Sequence, residues 1–180
     1  MESKLELRWV GKMRVLGIDP GTLNLGWGVI ERDPRGRWIH RGHDCLRAPQ
    51  RQDFFVRIAE LGQKVGELID LHQPQVAVIE NIFLGKNVDS AFKLGHIRGI
   101  CVAECHKRGL EIFEYSPKVV KKQITGSGSA EKTLVRELLY RQLGIPLDSG
   151  KTLDASDALA LAFCHIMQDS VRQRIRKAEL

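Results

Sequence analysis

The sequence predicts a single α/β domain: a mixed five-stranded sheet, antiparallel through its first three strands and parallel in the remainder, flanked by helices. Three observations carry that prediction. The N-terminal quarter holds three short apolar runs separated by the turn sequences Asp19-Pro20-Gly21-Thr22 and Asp33-Pro34-Arg35-Gly36. Two later apolar runs each follow a stretch of helical spacing, which is the crossover that parallel pairing requires. At 180 residues the chain fills one core well and two poorly.

Residues 13–19 (MRVLGID), 26–31 and 38–46 read as the three strands of a meander. Phe54, Phe55, Ile58, Leu61, Val65, Leu68 and Ile69 then recur at helical spacing, and Pro74 closes that helix ahead of the solid apolar run 76–79. A second helix is expected over 89–107 and a strand over 110–115. Pro117 suits the first turn of a third helix. The glycine-rich loop 125–129 separates it from a helix over 130–143, which Gly144 and Pro146 end. A last helix begins near Asp154 and runs to Met167 or beyond. The folded unit is drawn at 13–168, with 1–12 as an N-terminal extension and 169–180 as a basic tail carrying Arg172, Arg174, Arg176 and Lys177.

Composition narrows the function classes. No apolar run is long enough to span a bilayer, and the first residues lack the apolar stretch of a signal peptide, so a cytoplasmic protein is expected. Lys and Arg outnumber Asp and Glu by 28 to 22, a balance of +6 that favours polyanions. The surplus is concentrated in 107–141, where Lys107, Arg108, Lys118, Lys121, Lys122, Lys132, Arg136 and Arg141 face only Glu111, Glu114, Glu131 and Glu137. Of the four cysteines, Cys45, Cys101, Cys105 and Cys164, the pair Cys101/Cys105 falls on the apolar stripe of a helix. No second ligand pair has matching spacing, so the cysteines read as reduced thiols, those two as small buried hydrophobes.

Four carboxylates sit inside apolar runs. Asp19 ends the first strand, where open sheets build their sites, and a turn-capping Asp ahead of Pro-Gly is its ordinary alternative. Glu80 closes the apolar run 76–79; a solvated residue just past the strand is the plainer account, although Glu is seldom buried without a partner. Asp154 and Asp157 are spaced i, i+3 at a helix start, so they share a face, and N-capping explains one of them better than both. Four acids brought together need cations, and a hard oxygen set without sulfur or imidazole selects Mg²⁺ and a phosphate substrate. That points to phosphodiester chemistry on nucleic acid. His165, on nearly the same helical face but farther along, reads as structural. The loop around Gly126-Ser127-Gly128-Ser129 fails the Walker pattern, because Glu131 stands where a glycine is needed before Lys132-Thr133. Its amides at a helix start remain a possible phosphate cradle, with Lys132 as a point charge, against a solvated loop as the alternative. Phe83 is suited either to stacking on an unpaired base or to packing under the following helix.

These motifs match a family. Gly17-Ile18-Asp19-Pro20-Gly21, Ile79-Glu80-Asn81-Ile82-Phe83, Lys86-Asn87-Val88-Asp89-Ser90-Ala91, Gly126-Ser127-Gly128-Ser129-Ala130-Glu131-Lys132 and Asp154-Ala155-Ser156-Asp157-Ala158-Leu159-Ala160 resemble, in order, those of the RuvC family of bacterial Holliday junction resolvases. The resemblance implies an RNase H-like fold, a homodimer, and Mg²⁺-dependent hydrolysis that nicks two opposed strands of a four-way DNA junction. It implies two Mg²⁺ ions per site, with Mn²⁺ able to substitute, held by Asp19, Glu80, Asp154 and Asp157. Phe83 corresponds to the aromatic at the junction centre, and Lys121 and Lys132 to basic residues near the scissile phosphate; Lys122 competes with Lys121 for its assignment. The helix over 89–107, with Ala91, Leu94, Gly95, Gly99 and Ala103 forming a small-residue face, corresponds to the interface helix. RuvA and RuvB, the branch-migration complex, are the further partners so implied.

Three other readings compete, one of them another nuclease of the same fold, cutting RNA–DNA hybrid or recombining DNA. The turn Asp19-Pro20-Gly21-Thr22 also resembles the phosphate turn of actin-like ATPases and sugar kinases, which need a second domain that this length does not accommodate. A non-catalytic junction binder would lack at least one carboxylate, and none is missing.

Overall fold

In a computed structural model of the chain, residues 12–49, 51–81 and 88–178 are described, with side chains as far as residue 170. Five strands form one sheet in the order β3-β2-β1-β4-β5: β1 (Met13–Asp19), β2 (Asn24–Arg32), β3 (Trp38–Arg47), β4 (Val76–Glu80) and β5 (Glu111–Tyr115). The first three pair antiparallel, while β1/β4 and β4/β5 pair parallel, as the sequence predicts. β4 is buried on both faces and so is apolar throughout until Glu80.

Alternation along the strands divides the core. Leu16, Ile18, Leu25, Val29, Ala77 and Ile79 face α1 (Phe54–His72) and α2 (Val88–Lys107), packing on Ile58, Leu61, Val65, Ile97, Cys101 and Cys105. Met13, Val15, Ile30, Val76 and Val78 face α3 (Pro117–Thr125), α4 (Lys132–Leu143) and α5 (Leu153–Ala178). All four cysteines are free; Cys101, Cys105 and Cys164 are buried and Cys45 half-buried. Asp53 caps α1, its side chain accepting from the Phe55 amide, and Pro117 occupies the first turn of α3.

One boundary differs from expectation. α4 starts at Lys132 and not at residue 130, because Glu131 holds the extended cap conformation. α5 passes through position 169 without a break and continues to Ala178. None of the described helices is long and apolar enough to cross a membrane.

Candidate active site

The parallel register pairs Ile18 with Ile79, so Asp19 and Glu80 emerge side by side where β1 and β4 end. Glu80 accepts a hydrogen bond from the Asp19 carboxyl. Burial, then the nearby charges of Glu80, Asp157 and Asp154, push Asp19 far above the usual carboxylate range, against a smaller opposite pull from Lys132. Glu80 is raised as well, first by burial and then by Asp157.

Asp154 and Asp157 reach this point because α5 lies against bare backbone. Gly17 and Gly28 are opposite one another in the β1/β2 register, and Gly26 faces the same way two residues earlier on β2. A methyl group on Gly17 would run into the Ala158 carbonyl, on Gly26 into the Asp154 carbonyl, and on Gly28 into the Leu159 backbone. The three glycines therefore set how closely the first turns of α5 approach Asp19. The alternation Gly26-x-Gly28 in a strand is the sequence signal for this close approach.

Basic side chains complete the cluster. The Lys132 ammonium is paired with Asp157. Burial alone would lower its pKa, but the bond to Asp157 and the charges of Asp157, Asp19 and Glu80 raise it. Lys121 joins Glu80, Lys132 and Asp157 around a cleft of about 40 Å³, whereas Lys122 is exposed elsewhere on α3. That volume suits a small ion or water and no larger group. Phe83 lies outside the described residues. His165 packs at a tilt against Phe113, and its Nδ1 lies 3.0 Å from the Tyr115 hydroxyl, more than two turns beyond Asp157. In the loop after α3, the Ser127 and Ser129 amides already bond to the Thr125 and Ser127 hydroxyls, and Lys132 has turned to Asp157.

Among the described residues, no three His, Cys, Asp or Glu side chains close on one point at ligand distance. The Asp19 and Glu80 carboxyls hydrogen-bond each other, and Asp157 is paired with Lys132. The donor set nonetheless fits a hard divalent cation, being all oxygen, partly desolvated and mutually repulsive.

Fold and site together define an RNase H-like endonuclease. Residues 15–165 match the family described as "RuvC: Crossover junction endodeoxyribonuclease RuvC". The chain is 40% identical over 164 residues to a crossover junction endodeoxyribonuclease RuvC of Bdellovibrio bacteriovorus, covering 91% of this chain and 96% of the relative, and 38% identical over 168 residues to one of Alkalilimnicola ehrlichii, covering 92% and 98%. The chain therefore belongs to the RuvC family. Its structure superposes on a Thermus thermophilus RuvC in complex with Holliday junction substrate with a TM-score of 0.78 and 25% identity, over 85% of this chain and 92% of that one. A yeast mitochondrial Holliday junction resolvase shares the fold, with a TM-score of 0.68 and 16% identity over 93% and 85% of the two chains. Dependence on a divalent metal ion comes with membership of this nuclease family.

Proposed function

We propose that this protein resolves four-way DNA junctions by Mg²⁺-dependent hydrolysis, nicking two opposed strands. The observation that carries the reading is the quartet of acids at the ends of β1 and β4 and the start of α5, with Asp19 driven upward by burial and then by its acidic neighbours. Asp19, Glu80, Asp154 and Asp157 would hold two Mg²⁺ ions, or Mn²⁺ in their place. Such ions would supply Lewis-acid activation of a water and stabilisation of the leaving oxygen. Lys132 neutralises Asp157 beforehand and, released from it, presents its ammonium to the scissile phosphate. Lys121, which lines the same cleft, adds a second positive charge. Phe83 is assigned to stacking at the junction centre.

Symmetric nicking needs two equivalent sites, hence a two-fold dimer. The outward face of α2 supports this. Val88 and Phe92 are 62% and 67% exposed there, and Gly95 and Gly99 carry nothing within 4 Å of an added methyl group. Such a face admits close approach of a second helix. Work alongside RuvA and RuvB, in the cytoplasm, follows from the family reading.

The test is incubation of the purified protein with an immobile four-way junction and a matched linear duplex, in Mg²⁺ or in EDTA, with nicks mapped on each strand. Paired symmetric nicks in the junction alone, and only with Mg²⁺, are expected; binding without cutting on varied junction sequences would overturn the reading.

A further inference from the structure

The acid quartet poses a mechanical problem. Asp154 and Asp157 ride on the first turn of α5, and Asp19 feels the repulsion of both. The glycines of β1 and β2 fix how near that turn can come, but they are a stop and exert no inward pull. A restraint must act at the helix start.

One is present, built from two dipeptides. On β3, one Asp44 oxygen accepts from the Cys45 amide at 2.8 Å and the other pairs with the Lys151 ammonium at 2.5 Å. The Cys45 Sγ lies 2.9 Å from the Thr152 Oγ1. That same Thr152 oxygen accepts from the Ala155 amide at 3.3 Å, and the Thr152 carbonyl accepts from the Ser156 amide at 3.3 Å, so Thr152 caps α5. Gly150, at φ +71°, turns the chain into Lys151. The Asp44-Cys45 pair thus holds Lys151-Thr152, and Asp154 follows two residues later. Cys45 is also the neighbour of Gly26 across the β2/β3 register, directly beside the glycine on which the Asp154 carbonyl rests.

We propose that Asp44, Cys45 and Lys151 are positioning residues of the cleavage reaction: β3 clamps the start of α5 and thereby keeps Asp154 and Asp157 beside Asp19 against their mutual repulsion. This rests on the reading of the four carboxylates as the metal site. The clamp touches neither substrate nor ion. It acts through the helix cap, and the ion pair, at 50% and 34% side-chain exposure, is a trimming contact and no pillar of the fold.

The test uses the full chain with Asp44→Asn, Lys151→Gln and Lys151→Arg. Amide exchange is first followed by NMR without metal or DNA. Asp44→Asn and Lys151→Gln should each speed exchange at Ala155 and Ser156 by roughly two- to fivefold while amides of β1 stay unchanged. The Mg²⁺ concentration for half-maximal junction cleavage should rise by roughly two- to tenfold, with junction affinity in EDTA unaltered. Lys151→Arg, which keeps the pair, should restore both readings. Wild-type exchange and Mg²⁺ dependence in Asp44→Asn would overturn the proposal. So would a loss of junction affinity in Lys151→Gln that Asp44→Asn does not share, since Lys151 would then be a DNA contact. Because exchange is read without metal or DNA, a wild-type protein that failed to cut junctions would sink the functional reading separately from the clamp.

Discussion

Asp19 and Glu31 stand on neighbouring strands of one sheet, at opposite ends, and their surroundings have driven them in opposite directions. Glu31 is 2% exposed. Burial alone would raise its pKa, but hydrogen bonds from Arg41, Arg14 and Lys12 overcome that and bring it down to about 2. Asp19 is raised by burial, and it meets other acids where Glu31 meets cations, so nothing reverses the shift. The chain itself supplies the partners of one acid, and that end of the sheet is finished structure. At the other end the acids face one another, and that is where the proposed chemistry lies.

The contrast can be broken most forcefully at the acid end. Asp19→Asn or Glu80→Gln should lower junction cleavage by roughly 1000-fold or more, about 4 kcal/mol of barrier, while junction binding persists. The melting temperature in EDTA should stay at or above wild type, since a repulsive charge has gone. Full activity in either variant would remove that residue from the ligand set. At the cationic end, Glu31→Gln should cost about 2–3 kcal/mol in denaturant unfolding, somewhat below the figure for fully buried pairs because its cations reach solvent. Cleavage per folded molecule should be unchanged.

Gly26→Val tests the approach of α5. Stability should fall by about 1–3 kcal/mol, and cleavage at saturating folded protein should fall further than that loss explains, because Asp154 is displaced. A variant that lost stability alone would show that the contact does not govern the site.

Smallest are the pH effects, and their signs differ. Glu31 has a folded pKa below its ordinary 4.5, so its contribution is complete above that value and is lost as pH falls toward about 2; Glu31→Gln should flatten this acid limb of a melting curve. Asp19 has a raised folded pKa, so its contribution is present below the ordinary carboxylate range and is lost as pH rises. Mg²⁺ should offset that loss, and the gain in melting temperature on adding it should grow from about pH 5 to about pH 8.

Much of this was legible in the sequence because it rests on local pattern. The solid apolar run ending at Glu80 announced a two-sided strand, and the i, i+3 spacing of Asp154 and Asp157 announced a shared helical face. What stayed hidden depends on distant partners. Nothing near Gly17, Gly26 or Gly28 tells which helix lies over them, and nothing near Asp44 tells that Lys151 meets it. Lys121 and Lys122 are indistinguishable in sequence; only the rotation of α3 turns the first toward the cleft. How far α5 runs past Met167 stayed open in the sequence because its later residues are polar and charged, a composition that suits a solvated helix face as well as a tail.

The glycine bed of α5 has one more consequence, best put in a machinist's language. When two parts must meet to a fine tolerance, the error between them is the sum of the errors of everything stacked in between. Here the stack is two backbones in contact, with no side chain to change rotamer or to be replaced by a larger or smaller one. The rest of the core can drift in sequence and in volume while the gap between Asp19 and the Asp154 turn keeps its gauge.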